Sequence, residues 1–162
     1  MKPWVVKHLP QSSSEVVAHK DSLESLRSFI QNTKQKAAVI YGPSGNGKTS
    51  AVYALANELS YEVLEVNASD FRNAEAINTI VGSASKQMSL FGKGKIILVD
   101  EIDGLSGMKD RGGVSALTKL IGDSSFPIIC TAINPFDKKF SPLRKKSELI
   151  EFKTLILQFF TL

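Results

Sequence analysis

At 162 residues, 43% hydrophobic and 22% charged, the chain is long enough for one well-cored domain and short for two. It holds no apolar run of transmembrane length, its opening Met1-Lys2-Pro3-Trp4 lacks the apolar centre of a signal peptide, and its single cysteine, Cys130, excludes an internal disulfide. An intracellular protein with no membrane partner is expected, and a net charge of +4 is too mild an excess to indicate nucleic acid by itself.

Residues 1–19 read as irregular, because Pro3, Pro10 and Ser12-Ser13-Ser14 oppose a long helix. From Lys20 the apolar residues Leu23, Leu26, Phe29 and Ile30 recur at helical spacing and predict an amphipathic helix to about Asn32. Ala37-Ala38-Val39-Ile40-Tyr41 is short, apolar and partly β-branched, as a buried strand requires. Then comes Gly42-Pro43-Ser44-Gly45-Asn46-Gly47-Lys48-Thr49, which fits the phosphate-cradling pattern G-x-x-x-x-G-K-[ST]. Ser50 opens an alanine- and leucine-rich helix running to Leu59.

A strand is expected at 62–66, a turn or helix start at Asn67-Ala68-Ser69-Asp70, a helix at 74–85 and a polar connection at 86–94. The continuous apolar run Ile96-Ile97-Leu98-Val99 suits a central parallel strand covered on both faces. A loop at 104–113, a helix at 114–121 and a buried strand at 127–132 follow, with Cys130 read as packing rather than as a nucleophile. A short helix around 137–145 and a last strand near Leu149-Ile150-Glu151-Phe152 complete the pattern. Alternating strands and helices predict a single α/β domain over 1–162 on a parallel five-stranded sheet, and with the phosphate-loop pattern this resembles the three-layer P-loop NTPase fold.

The chemistry starts at the glycine loop. Strand, glycine loop and helix turn successive backbone N–H groups toward one point, and glycine lets that backbone approach phosphate oxygens. Lys48 is placed as a point charge against the β- and γ-phosphates, and the Thr49 hydroxyl as a ligand of Mg²⁺. Asp100-Glu101 directly follows an apolar strand, and ligands of parallel α/β sheets collect at the carboxyl ends of strands. Asp100 is therefore expected to hold Mg²⁺, directly or through water, and Glu101 to orient and deprotonate the attacking water. Asn134 follows the next apolar strand, where its carboxamide is a candidate for the γ-phosphate or the lytic water, or else caps a turn before Pro135.

Phosphate loop, Asp-Glu after a hydrophobic strand and asparagine ending the following strand resemble the AAA+ ATPases. In detail they resemble the clamp-loader branch, the large-subunit family of replication factor C in archaea and eukaryotes. Pro3-Trp4 with Lys7 and Pro10 is similar to that family's opening, and Val16-Val17-Ala18-His19 to the segment wrapping the adenine. Leu64-Glu65-Val66-Asn67-Ala68-Ser69-Asp70 resembles a characteristic clamp-loader segment. The most specific stretches are Asp100-Glu101-Ile102-Asp103-Gly104-Leu105-Ser106-Gly107 and Asp110-Arg111-Gly112-Gly113, which resemble large rather than small subunits.

The resemblance implies an ATP-driven machine of one large and four small subunits that opens a ring-shaped sliding clamp and places it on primer–template DNA. It implies ATP and Mg²⁺ as cofactors, and small subunits, clamp and DNA as partners. Nucleotide would be held by Gly42, Pro43, Ser44, Gly45, Asn46, Gly47, Lys48, Thr49 and Ser50, with Val17 near the adenine. Thr49 and Asp100 would hold the metal, while Glu101, Lys48 and the sensor Asn134 would serve hydrolysis. Lys86, Arg111 and Lys119 are candidates for DNA phosphate contacts and equally for plain solvated surface.

The sequence departs from the family at several points. In Leu143-Arg144-Lys145-Lys146-Ser147-Glu148 a lysine stands where small subunits carry an arginine reaching a neighbour's ATP. Lysine lacks the planar forked donor set, so no arginine finger is assigned, which suits a large subunit. Met108-Lys109 replaces more polar or acidic residues. The chain stops at Leu162, ahead of a helical lid and collar, so a fragment, a truncated gene or a reduced relative is expected, with weak or no activity in isolation. The tail Lys153-Thr154-Leu155-Ile156-Leu157-Gln158-Phe159-Phe160 reads as an exposed hydrophobic end, or as a clamp-binding peptide without its leading glutamine. Two other functions stay open: a lid-less interaction module that binds ATP without hydrolysing it, and another AAA+ ATPase of DNA metabolism.

Overall fold

Five strands form one parallel sheet whose two faces each carry a buried apolar cluster, and helices cover it above and below. The computed structural model describes residues 12, 19–32, 36–68, 94–105 and 112–154. In chain order the main elements are α1 (Lys20–Gln31), β1 (Ala37–Tyr41), α2 (Lys48–Glu58), β2 (Glu62–Asn67), β3 (Lys95–Asp100), α3 (Gly113–Asp123), β4 (Ile128–Ala132), α4 (Ser141–Arg144) and β5 (Ser147–Glu151). The strands lie in the order β2-β3-β4-β1-β5, and every neighbouring pair is parallel.

Alternation along each strand explains why the runs are apolar throughout. Ala37 and Val39 of β1 face one way, with Ile97, Val99, Ile128 and Cys130, against Leu117, Leu120 and Ile121 of α3. Ala38 and Ile40 face the other way, with Ile96, Leu98 and Ile129, against α1 and α2. On α1 the helical spacing brings Leu23, Leu26, Phe29 and Ile30 to one buried stripe, and Asp21 in its first turn opposes the helix dipole favourably. Cys130 is fully buried, and burial pushes its thiol up to about 12, so it packs as a small hydrophobe.

Several expected boundaries shift, most by one or two residues. The last strand begins at Ser147, two residues before the expected Leu149, because Ser147 and Glu148 pair with Ala37 and Ala38. Phe152 leaves the strand, although its N–H still reaches the Tyr41 carbonyl at 2.7 Å. The helix expected at 137–145 is two pieces, a 3₁₀ turn Lys138–Phe140 and the single α-turn Ser141–Arg144. Asp137 caps the first by accepting from the Lys139 N–H at 3.1 Å, and Pro142, which has no N–H, opens the second. Helix α2 starts at Lys48, so Lys48 and Thr49 belong to its first turn. The expected helix at 74–85, the connection up to residue 93 and the loop residues 106–111 lie outside the described residues, as do Val17 and the tail from 155. Among the described residues no helix is long and apolar enough to cross a membrane.

Candidate nucleotide-binding and hydrolysis site

Strand order decides how the site is built. The loop-bearing strand β1 does not touch β3, which carries the acids, because β4 lies between them. In register, Ile40 of β1 pairs with Thr131 of β4, and Val99 of β3 with Cys130. Thr131 and Asp100 therefore stand side by side at the carboxyl end of the sheet. By alternation both fall on the face that carries α2, beneath Thr49.

Backbone conformation forms the loop. Gly42, Gly45 and Gly47 have φ of +149°, +78° and +77°, a region L side chains rarely adopt. At Gly42 the need is also steric, since a Cβ there would lie 2.0 Å from the Phe152 carbonyl oxygen. The Asn46 carboxamide donates to the Phe152 and Lys153 carbonyls at 3.2 and 2.8 Å, tying the loop to the end of β5. Asn46 is thus a fastener of the loop as well as a member of it.

The functional side chains converge above this frame. Lys48 Nζ donates to the Gly42 and Pro43 carbonyls at 2.9 and 2.7 Å, which leaves one of its three donors for a phosphate. Burial pulls its pKa below the ordinary lysine value, while the carboxylates of Asp103, Asp100 and Glu101 push it back up. Thr49 Oγ1 donates to Asp100 Oδ1 at 2.8 Å, so the two expected metal ligands, fifty-one positions apart, meet. Glu101 follows with φ +54° and ψ +56°, a left-handed conformation that costs a non-glycine residue about 1–2 kcal/mol. A hydrogen bond from its N–H to Thr131 Oγ1 at 2.9 Å and a bond from the Gly104 N–H to its carbonyl at 3.0 Å hold it there.

The cleft has a volume of about 260 Å³ and is lined by Ser44, Gly45, Gly47, Lys48, Thr49 and Ser50 on one side and by Asp100, Glu101, Asp103, Thr131, Ala132 and Ile133 on the other. Gly42, Pro43 and Asn46 are not part of that lining, and Gly42 and Asn46 lie against Phe152 instead. Past the end of β4 the residue that lines the cleft is Ile133, one residue before Asn134. Asn134 is exposed, and its Oδ1 accepts from the Phe136 N–H at 3.0 Å in a turn around Pro135. Its amide NH₂ is the part that could still reach a ligand.

Sequence reasoning missed two residues. Thr131 Oγ1 donates to Asp100 Oδ1 at 2.6 Å while accepting from Glu101. The Asp103 carboxylate accepts from the backbone N–H groups of Ile133 and Asn134 at 2.6 and 3.1 Å, fastening the end of β4 to the turn after β3. Asp103 stands within the quoted acidic segment, and its place three residues after Asp100 was the available signal. For Thr131 the signal was a hydroxyl in an otherwise apolar strand.

The donors suit Mg²⁺. The Thr49 hydroxyl and Asp100 carboxylate are hard oxygen ligands, and among the described residues no three or more His, Cys, Asp or Glu are arranged to hold an ion by themselves. Such a sparse all-oxygen set matches a cation that keeps water and substrate phosphates as its remaining ligands.

The chain matches the family model for the ATPase family associated with various cellular activities (AAA) over residues 38–155. It is 55% identical over 157 residues to the replication factor C large subunit of Nanoarchaeum equitans, covering 94% of this chain and 36% of that protein. The large subunit of Staphylothermus marinus is 45% identical over 158 residues, covering 94% and 37% of the two chains. That of Methanococcus vannielii is 41% identical over 155 residues, covering 93% and 32%. The chain spans a little over a third of the length of the first two of these relatives. The family match takes in the phosphate loop, β3 with its acids and the exit of β4, and on that footing the chain belongs to the AAA family of ATPases.

Proposed function

We propose that these 162 residues form the ATPase domain of a clamp-loader large subunit, which couples ATP to the loading of a sliding clamp on primer–template DNA together with small subunits. The observation that supports this most is the meeting of Lys48, Thr49, Asp100 and Glu101 at one cleft, in a chain 55% identical to a replication factor C large subunit.

The residues divide the work. The loop N–H groups and the positive end of α2 bind the phosphates, and Lys48 adds its remaining donor to the β- and γ-phosphate oxygens. Thr49 and Asp100 would hold Mg²⁺, which when bound neutralises charge building on the transferred phosphoryl group. Glu101, exposed at the cleft, accepts the proton of the water that attacks the γ-phosphorus, giving ADP and inorganic phosphate. Asn134 can act as a sensor through its amide NH₂, because its oxygen is occupied in the turn. Val17 remains proposed for the adenine.

Glu101→Gln tests the assignment. It keeps the shape and removes the base, so ATP binding should persist while turnover in the assembled loader falls at least about 100-fold. Turnover unchanged by Glu101→Gln would remove the hydrolytic reading and leave an ATP-binding interaction module.

A further inference from the structure

The structure assigns to Thr131 the positioning of both acids of the site, so that one hydroxyl on β4 sets the metal ligand Asp100 and the base Glu101 together. This rests on the nucleotide-hydrolysis reading of the same cleft. Thr131 is 1% exposed and lies in a strand whose other members, Ile128, Ile129, Cys130 and Ala132, are buried and apolar. A buried hydroxyl has to use its hydrogen-bonding capacity, and Thr131 uses it in both directions. Its proton goes to Asp100 Oδ1 at 2.6 Å, and a lone pair takes the Glu101 N–H at 2.9 Å.

Each bond fixes a different quantity. Asp100 Oδ1 receives two hydroxyls, Thr131 at 2.6 Å and Thr49 at 2.8 Å, which anchors the carboxylate through that oxygen and leaves Oδ2 to water or metal. The bond to the Glu101 N–H pins the residue at its left-handed φ of +54°, from which the side chain is presented to the cleft. Thr131 touches neither phosphate nor water in this scheme. It acts through Asp100 and Glu101, as outer partners of metal ligands do.

The test is a Mg²⁺ titration of mant-ATP binding by the full chain, comparing wild type, Thr131→Val and Thr131→Ser. Valine keeps the volume and removes both hydrogen bonds, whereas serine keeps the hydroxyl. Expected for Thr131→Val is an unchanged affinity in EDTA, where Lys48 and the loop carry binding, and a Mg²⁺ midpoint raised about tenfold. Thr131→Ser should return the midpoint to within about threefold of wild type, which a purely steric role would not produce. Should Thr131→Val fail to fold, Thr131→Cys, of similar size but with a weak donor, carries the same expectation. A midpoint unmoved in Thr131→Val, or a loss in Thr131→Ser as large as in Thr131→Val, overturns this inference alone. A wild-type chain that binds mant-ATP with no Mg²⁺ dependence overturns the reading of the site as well.

Discussion

Gly42→Ala isolates the packing behind the phosphate loop from its chemistry. The added Cβ would lie 2.0 Å from the Phe152 carbonyl oxygen and 3.0 Å from its carbon, and both are backbone atoms that no rotamer change can clear. Phe152 is held in place by its own N–H to the Tyr41 carbonyl at 2.7 Å and by the Asn46 carboxamide. Relief therefore needs a backbone shift of roughly 1 Å, on top of the strain of alanine at φ +149°. Together these effects cost about 3–5 kcal/mol, which for a domain of this size lowers Tm by roughly 6–20 °C. Gly45→Ala and Gly47→Ala are the controls: nothing lies within 4 Å of their Cβ positions, so only the strain at φ +78° and +77° is added. Each should cost about 1–2 kcal/mol. Thermal unfolding followed by circular dichroism measures all three. A Gly42→Ala chain no less stable than Gly45→Ala would refute the claim that this glycine is required by close approach to β5.

Three further outcomes follow from the same packing. Asn46→Ala removes both donations to the Phe152 and Lys153 carbonyls and should cost about 1–3 kcal/mol in denaturant titration; no change would mean the loop is not fastened there. Leu26→Ala, at a fully buried position on α1, should cost about 2–5 kcal/mol by the same titration, with a value under about 1 contradicting the α1 core. His19 is 6% exposed, its Nε2 has no hydrogen-bond partner, and its ring lies 4.6 Å from that of Phe152. Burial lowers its pKa below the ordinary 6.5, so the unfolded chain takes up the proton first as pH falls. Its contribution is thus intact above pH 6.5 and declines as pH drops below that value. His19→Phe keeps the ring contact and should flatten the Tm-versus-pH curve between about pH 7.5 and 5; an unchanged slope would assign the pH dependence elsewhere.

The elements were legible because burial on both sheet faces writes itself into the chain as continuous apolar runs such as Ile96-Ile97-Leu98-Val99. The phosphate loop was legible because its glycines and Lys48 are demanded locally, by φ and by charge. Strand order is not a local property. That β4 separates β1 from β3 appears in no periodicity, and it is this order that brings Thr131 against Asp100 and Glu101. The exit of β4 shows a related limit. The strand ends at Ala132 as expected, but the path beyond it is set by Asp103, which holds the N–H groups of Ile133 and Asn134 from another part of the chain. There the lining residue is Ile133, while Asn134 turns its oxygen to the Phe136 N–H. The start of β5 at Ser147 was equally invisible, because its first residues pair through backbone with Ala37 and Ala38 and need no apolar side chain to do so.

The proposed role of this cleft in powering a clamp loader is tested by co-expression with clamp-loader small subunits, following co-elution and ATPase rate with and without sliding clamp and primed DNA. Expected are co-elution and an ATPase stimulated by clamp and DNA that Lys48→Ala lowers by at least about tenfold. Nucleotide binding without assembly, or stimulation indifferent to Lys48→Ala, would contradict it.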